Sequence, residues 1–258
     1  MRYLTRILQY IYSIYAFAVF LLFMFILFPF VVLASFFGKI RGGNMVYHIC
    51  RFWSSAATAL WGIFHTNHYE APHDPKHPVV FVFNHISYMD IPVILLTFRK
   101  QPIRILAKAE MAKIPIFGYI YSAATVMVDR ANSEKRAQSV KTLKAVLRKN
   151  ISVVIAPEGT FNMTGKPLKE FYDGAFRIAI ETQTPIKPVL FLDTYDRLNY
   201  KSIFSLTPGR SRSVFLEEID TTGYTLENFQ ELKQKVYDVM EKALIRYKAS
   251  WIGDQNKI

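Results

Sequence analysis

Apolar residues fall along this chain in two registers. Between Arg6 and Lys39 they run almost unbroken: 32 consecutive residues, Ile7 to Gly38, lack Asp, Glu, Lys and Arg and are dense in Phe, Leu, Ile, Val and Tyr. As one helix such a run measures about 48 Å at about 1.5 Å per residue, more than a hydrocarbon core of about 30 Å requires. Pro29 lacks an amide hydrogen and is expected to break or kink it. Arg2 and Arg6 would suit a cleaved signal peptide, but the run is twice the roughly 7–15 apolar residues such a peptide uses. A membrane anchor is the expectation. Lys39 and Arg41 follow the run as Arg2 and Arg6 precede it, so the charge flanks set no orientation. A span and a helical hairpin dipping into one leaflet both remain open. In 44–64 the only charged residue is Arg51, with Phe52, Trp53, Trp61 and Phe64 around it. That segment suits either the headgroup layer or a helix buried under the main domain.

The second register begins after Ala71-Pro72-His73-Asp74-Pro75-Lys76-His77-Pro78, a connector that cannot be helical throughout. A boundary here divides a membrane-anchoring helical region, 1–70, from an αβ domain, 71–258. Val79–Phe83 is an uncharged run of strand formers, and 103–107, 125–128, 151–156, 186–192 and 214–219 read as further strands. Helices are expected over 91–98, from Asn132 or Ser133 as N-cap with Val140, Leu143 and Leu147 on one face, and over 171–181. A last helix over 226–250 carries Leu232, Val236, Met240, Leu244 and Tyr247 on one stripe. Strands interleaved with helices predict an α/β core.

Composition narrows the class. With 51% hydrophobic and 20% charged residues the chain is not disordered, and one cysteine, Cys50, excludes an intramolecular disulfide and a multi-thiolate zinc site. The net charge is +12, of which +3 lies in residues 1–75 and +9 in the rest. Such a surface meets nucleic acid, anionic lipid or a phosphorylated substrate, and the apolar N-terminus favours the lipid readings. The stretch 133–149 holds Lys135, Arg136, Lys141, Lys144, Arg148 and Lys149 against Glu134. It reads as a solvated face, or as a docking face for lipid headgroups or an acidic carrier protein.

The first strand is followed by Asn84-His85-Ile86-Ser87-Tyr88-Met89-Asp90. A carboxylate that holds an imidazole in one tautomer and stabilises its protonated form makes a base–orienter pair. On a regular helix positions i and i+5 point about 140° apart, so the pair requires a loop entering a helix, which a strand end followed by Pro92 supplies. His65 and Glu70 share the spacing but follow no predicted strand, and His65 reads as structural. Ala156-Pro157-Glu158-Gly159-Thr160 is a second strand-end turn, carrying a carboxylate, a glycine and a hydroxyl.

In order and spacing these pieces resemble the glycerolipid acyltransferases, specifically the 1-acyl-sn-glycerol-3-phosphate acyltransferase family. The blocks are Asn84-His85-x-Ser87-x-x-Asp90, then Lys108 and Glu110 through Pro115 and Gly118 to Asp129-Arg130, then Pro157–Thr160, then Pro185-Ile186-x-Pro188-Val189, covering residues 79–192. The resemblance implies a mixed sheet flanked by helices on a membrane face. It implies transfer of an acyl chain from acyl-CoA or acyl carrier protein to the sn-2 hydroxyl of a 1-acylglycerol 3-phosphate, giving phosphatidic acid. His85 and Asp90 would be catalytic. Asn84, Ser87, Lys108, Arg130, Glu158, Gly159 and Thr160 would be substrate-binding. No metal or organic cofactor is implied; in a bacterium the site would face the cytoplasm from the inner membrane. The chain departs from the pattern where Phe161 and Asn162 replace an Arg and a Ser, and where Tyr172 replaces a Lys. Lys166, Lys169 and Arg177 are candidate substitutes; otherwise the acceptor is a lysolipid with another headgroup. A non-haem iron oxidase does not fit the six scattered histidines, and no nucleic-acid recognition motif is present. The non-enzyme rival is an inactive membrane-binding relative, which the intact His85 and Asp90 disfavour.

Overall fold

A computed structural model describes residues 2–129 and 132–253. Two helices open the chain, α1 (Arg2–Ser35) and α2 (Gly43–Leu60), joined by a π-helical turn at Gly38–Gly42. Seven strands follow: β1 (Ile63–Tyr69), β2 (Val80–Phe83), β3 (Ile103–Lys108), β4 (Thr125–Val128), β5 (Ser152–Ile155), β6 (Ile186–Phe191) and β7 (Gly209–Phe215). Between and after them lie α3 (Asp90–Thr97), α4 (Phe117–Ala124), α5 (Ser133–Leu147), α6 (Gly174–Thr182), α7 (Thr194–Arg197) and α8 (Phe229–Arg246). The strands form one sheet in the order β1-β7-β6-β2-β5-β3-β4, parallel throughout except where β7 meets β6. It is a mixed α/β sheet flanked by helices, as expected.

Alternation along β2 sorts its side chains between two cores. Val80 and Val82 face Leu143 and Leu147 of α5, Phe176 of α6 and Leu232, Val236, Met240 and Leu244 of α8. Phe81 and Phe83 face the other side, with Val31 of α1, Val46 and Tyr47 of α2 and Val93 of α3. The stripe predicted for the last helix is therefore its core face. Asn132 caps α5, its Oδ1 accepting from the Lys135 amide at 3.0 Å.

α1 runs through Pro29 as one helix, so of the expected break or kink the break does not occur. It is long and apolar enough to cross a membrane by length and composition. Ser13, Ala16, Val19, Met24, Val31 and Ala34 form its buried face, while Phe17, Phe25, Phe30 and Leu33 are exposed. α2 returns against it: Trp61 Nε1 donates to the Ala16 carbonyl at 3.1 Å, and Gly42 packs so closely on the Ala34 carbonyl that a Cβ would collide with it. The hairpin is also tied to the sheet domain. Tyr47 Oη donates to the Phe98 carbonyl at 2.9 Å and Ser54 Oγ to the Pro92 carbonyl at 2.7 Å. Buried Arg104 of β3 donates to the Ile40 carbonyl at 3.1 Å and to Asn44 Oδ1 at 2.8 Å.

A strand lies before residue 70, within the region expected to be helical. That strand, β1, pairs with β7 along all seven residues, and α1 and α2 share a core with the sheet. β7 also lies earlier than the predicted 214–219, because its inward residues Ser211 and Ser213 are small and polar. They are buried against a polar network in which His65 Nδ1 lies 3.0 Å from Ser211 Oγ and Thr97 Oγ1 lies 2.7 Å from Ser213 Oγ. Burial pushes His65 down to about 4, so it is neutral and structural there. Residues 171–173 precede α6 as a loop, with Phe171 in the core.

Candidate active site

In parallel sheets sites gather at the carboxyl ends of the strands. β2, β5 and β3 are neighbours in that order, so their ends bring the loop at 84–89, the turn at 156–160 and Lys108 together. The first loop turns sharply into α3. Asp90 Oδ2 accepts from the amides of Ile86 and Ser87, each at 2.9 Å, and lies 2.8 Å from His85 Nδ1. Asp90 is fully buried, whereas the His85 side chain is 24% exposed. Asp90 Oδ2 already accepts from two amide hydrogens, so it faces Nδ1 as an acceptor. It therefore keeps the proton on Nδ1 and leaves Nε2 with a lone pair.

The other predicted residues divide into two groups. Asn84 is buried and spent on β6: its Nδ2 donates to the Phe191 carbonyl at 3.0 Å and its Oδ1 accepts from the Phe191 amide at 2.8 Å. Ser87 Oγ donates to the Leu198 carbonyl and accepts from the Met89 amide at 2.9 Å. Glu158 is fully buried, with Oε1 accepting from the His85 amide at 2.9 Å and Oε2 from the Lys169 amide at 2.8 Å. Burial pushes its carboxyl up to about 8, against the pull of those two bonds. These three side chains brace the loops and do not line the cavity beside His85. Lys108, Gly159 and Thr160 do line it, with His85, Tyr88 and Lys169. Gly159 adopts φ +71°, a turn conformation that disfavours a side chain. Arg130 lies outside the described residues.

The cavity has a volume of about 770 Å³. Its walls are apolar and come from both halves of the chain: Phe20, Met24 and Leu27 of α1, Ile49 and Trp53 of α2, and Ile105 of β3 among them. Sequence reasoning missed this wall, since nothing in the spacing of an apolar helix tells a cavity-lining face from a packed one. Phe161, at the point of departure from the expected pattern, sets its ring edge-on to His85 at 4.6 Å and to Tyr88 at 4.9 Å between centroids. Asn162 is buried and holds its own loop, with Nδ2 donating to the Lys166 carbonyl at 2.9 Å and its amide donating to the His85 carbonyl at 2.8 Å. Of the candidate replacement cations, Lys169 reaches the site, its Nζ donating to Thr160 Oγ1 at 2.7 Å. Arg177 stacks on the Phe229 ring instead, at 4.3 Å.

A mixed α/β sheet with a His–Asp pair opening on an apolar cavity defines the class. The family model described as Acyltransferase matches residues 63–192, and the chain belongs to that family. It is 30% identical over 203 residues to a putative 1-acyl-sn-glycerol-3-phosphate acyltransferase of Caenorhabditis elegans, covering 78% of this chain and 70% of that protein. It is 31% identical over 161 residues to a 1-acyl-sn-glycerol-3-phosphate acyltransferase of Cocos nucifera, a match that covers 62% of this chain but only 50% of the coconut protein. The crystal structure of the 1-acyl-sn-glycerophosphate acyltransferase PlsC from Thermotoga maritima superposes with a TM-score of 0.71 at 25% identity, covering 97% of this chain and 99% of that one. The chain is thus an acyltransferase.

Proposed function

We propose that the protein transfers an acyl chain from a thioester to the sn-2 hydroxyl of a 1-acylglycerol 3-phosphate, with His85 as general base. The observation that carries this is the Asp90-held imidazole beside the apolar cavity. Nε2 takes the hydroxyl proton as the oxygen attacks the thioester carbonyl carbon, and Asp90 stabilises the imidazolium that forms. The tetrahedral intermediate then expels the thiolate, which takes that proton and leaves as the thiol. Phosphatidic acid is the other product, and no acyl-enzyme is needed.

The donor is acyl-CoA or acyl carrier protein; the exposed Lys141, Arg148 and Lys149 about α5 suit the acidic carrier. The reading calls for no metal and no prosthetic group. The exposed apolar face of α1 is the anchor, and in a bacterium the site serves the cytoplasmic face of the inner membrane, where the thioesters are. The partners are then the lysolipid and an anionic phospholipid surface, not nucleic acid.

The test is acyl transfer from radiolabelled thioester by detergent-purified wild type and His85→Ala. Turnover of lysophosphatidate that disappears in the variant supports the reading. Phe161 beside His85 and the exposed Tyr172 favour, as second reading, a lysophospholipid or lyso-aminolipid with another headgroup. Turnover of that acceptor alone would select it. A folded wild type inert toward every acceptor would leave the inactive membrane-binding relative.

A further inference from the structure

A second cavity, of about 520 Å³, lies between the loop that leads into α6 and the side of α8. Thr164, Lys166, Lys169, Gln230, Lys233 and Tyr237 are among its walls, and Glu170 is the one carboxylate among the described residues that lines it. It is more polar than the first, though Leu168 and Phe171 also line it, and the two meet: Thr164 and Lys169 line both. Lys169 is held firmly at that junction. Its amide is bonded to buried Glu158 at 2.8 Å and its ammonium to Thr160 Oγ1 at 2.7 Å. Lys233 is ion-paired with Asp173, at 2.8 Å. Next to Thr160 in the chain, residue 161 offers His85 an aromatic ring and no charge.

A phosphorylated acceptor brings three parts to this enzyme: an acyl chain, a glycerol whose hydroxyl must reach His85, and a phosphate. The first cavity suits the chain, and Thr160 stands between it and the lysines. Lysines lining a cavity from two walls, Lys166 and Lys169 on the loop and Lys233 on α8, can meet a phosphate as point charges. We infer that the second cavity is the anion site for the acceptor, in which Lys169, Lys166 and Lys233 take the phosphate of the lysolipid while its glycerol lies against Thr160 and His85. The inference rests on the acceptor reading proposed above. Lys233 was invisible to sequence reasoning, being 64 residues beyond Lys169 on a separate helix.

The other source of phosphate in the reaction is the donor, whose pantetheine arm carries one in both acyl-CoA and acyl carrier protein, and steady-state kinetics separates the two sources. Lys166→Glu alters an exposed residue, so its fold is checked simply by circular dichroism, and Lys169→Met removes the junction. Loss of one charge-assisted contact should raise the KM for lysophosphatidate about tenfold or more. The kcat of Lys166→Glu and its KM for the donor should not move. A rise confined to the donor KM, or no change in either, overturns the inference. If the wild type does not acylate lysophosphatidate, the proposed acceptor fails by itself. The cavity is then judged by phosphorus NMR of glycerol 3-phosphate: line broadening by wild type that is lost in Lys166→Glu supports an anion site, and no broadening overturns it.

Discussion

Asp90 holds His85 with the same carboxylate oxygen that gathers the amides of Ile86 and Ser87. One side chain therefore sets both the loop and the tautomer. Its other oxygen, Oδ1, is buried without a hydrogen-bond partner among the described residues. Asp90→Asn keeps the shape but removes the charge opposite the imidazolium. The expected result is a kcat lower by roughly 10²–10⁴ with little change in either KM. Steady-state kinetics on a variant shown to be folded checks this; an unchanged kcat would remove Asp90 from the mechanism.

Asn84 precedes His85 in chain yet works on the far side of the loop, clamping β2 to the Phe191 backbone of β6. Asn84→Ala should leave a buried N–H and a buried C=O unpaired, each costing about 1–3 kcal/mol. Denaturant unfolding should show that loss. A substrate-binding role would instead raise KM at unchanged stability, so the two measurements together decide which role Asn84 has.

Glu158 links stability to pH with a definite sign. Its folded pKa, about 8, lies above the ordinary 4.5, so across that interval the folded protein holds a proton that the unfolded chain releases. Its contribution therefore falls as pH rises from about 4.5 to about 8. His65 acts in the opposite sense, but only between about 4 and 6.5, which leaves pH 6.5–8 to Glu158. The melting temperature should decline through that window in the wild type. In Glu158→Gln it should stay level, though lower overall, because an amide NH2 then faces a backbone N–H. A parallel decline in both proteins would assign the slope to another group.

Legibility in the sequence followed burial. β2 and β5 lie inside the sheet and are buried along their length, so their apolar runs announced them. β1 is an edge strand of which Ile63 alone is buried, and Phe-His-Thr-Asn-His-Tyr carries little of that signal. β7 was displaced because Ser211 and Ser213 occupy inward positions where period-two reasoning expects apolar side chains. At the candidate site, the pairing of His85 with Asp90 was legible because one short loop holds both. The bracing by Glu158 was not, since its partners, the His85 and Lys169 amides, are backbone groups that leave no mark on composition. Nor was the junction at Lys169, which needs β2, β5 and the α6 loop to be in place first.

The two faces of α1 should fail differently. Phe20, Met24 and Leu27 line the apolar cavity, whereas Phe17, Phe25 and Phe30 are 59%, 55% and 56% exposed. An outward Phe gains about 1.5–3 kcal/mol when an apolar phase covers it, so replacing all three by Glu removes that gain and adds charges repelled by anionic lipid. This triple variant should leave vesicles in a flotation assay while retaining acyl transfer to micellar substrate in detergent. Leu27→Trp, by contrast, should fill cavity volume and lower transfer of long acyl chains while the protein still floats with the vesicles. Flotation by the triple variant would refute α1 as the anchor. Undiminished long-chain transfer by Leu27→Trp would mean that the acyl chain does not pass between α1 and the sheet.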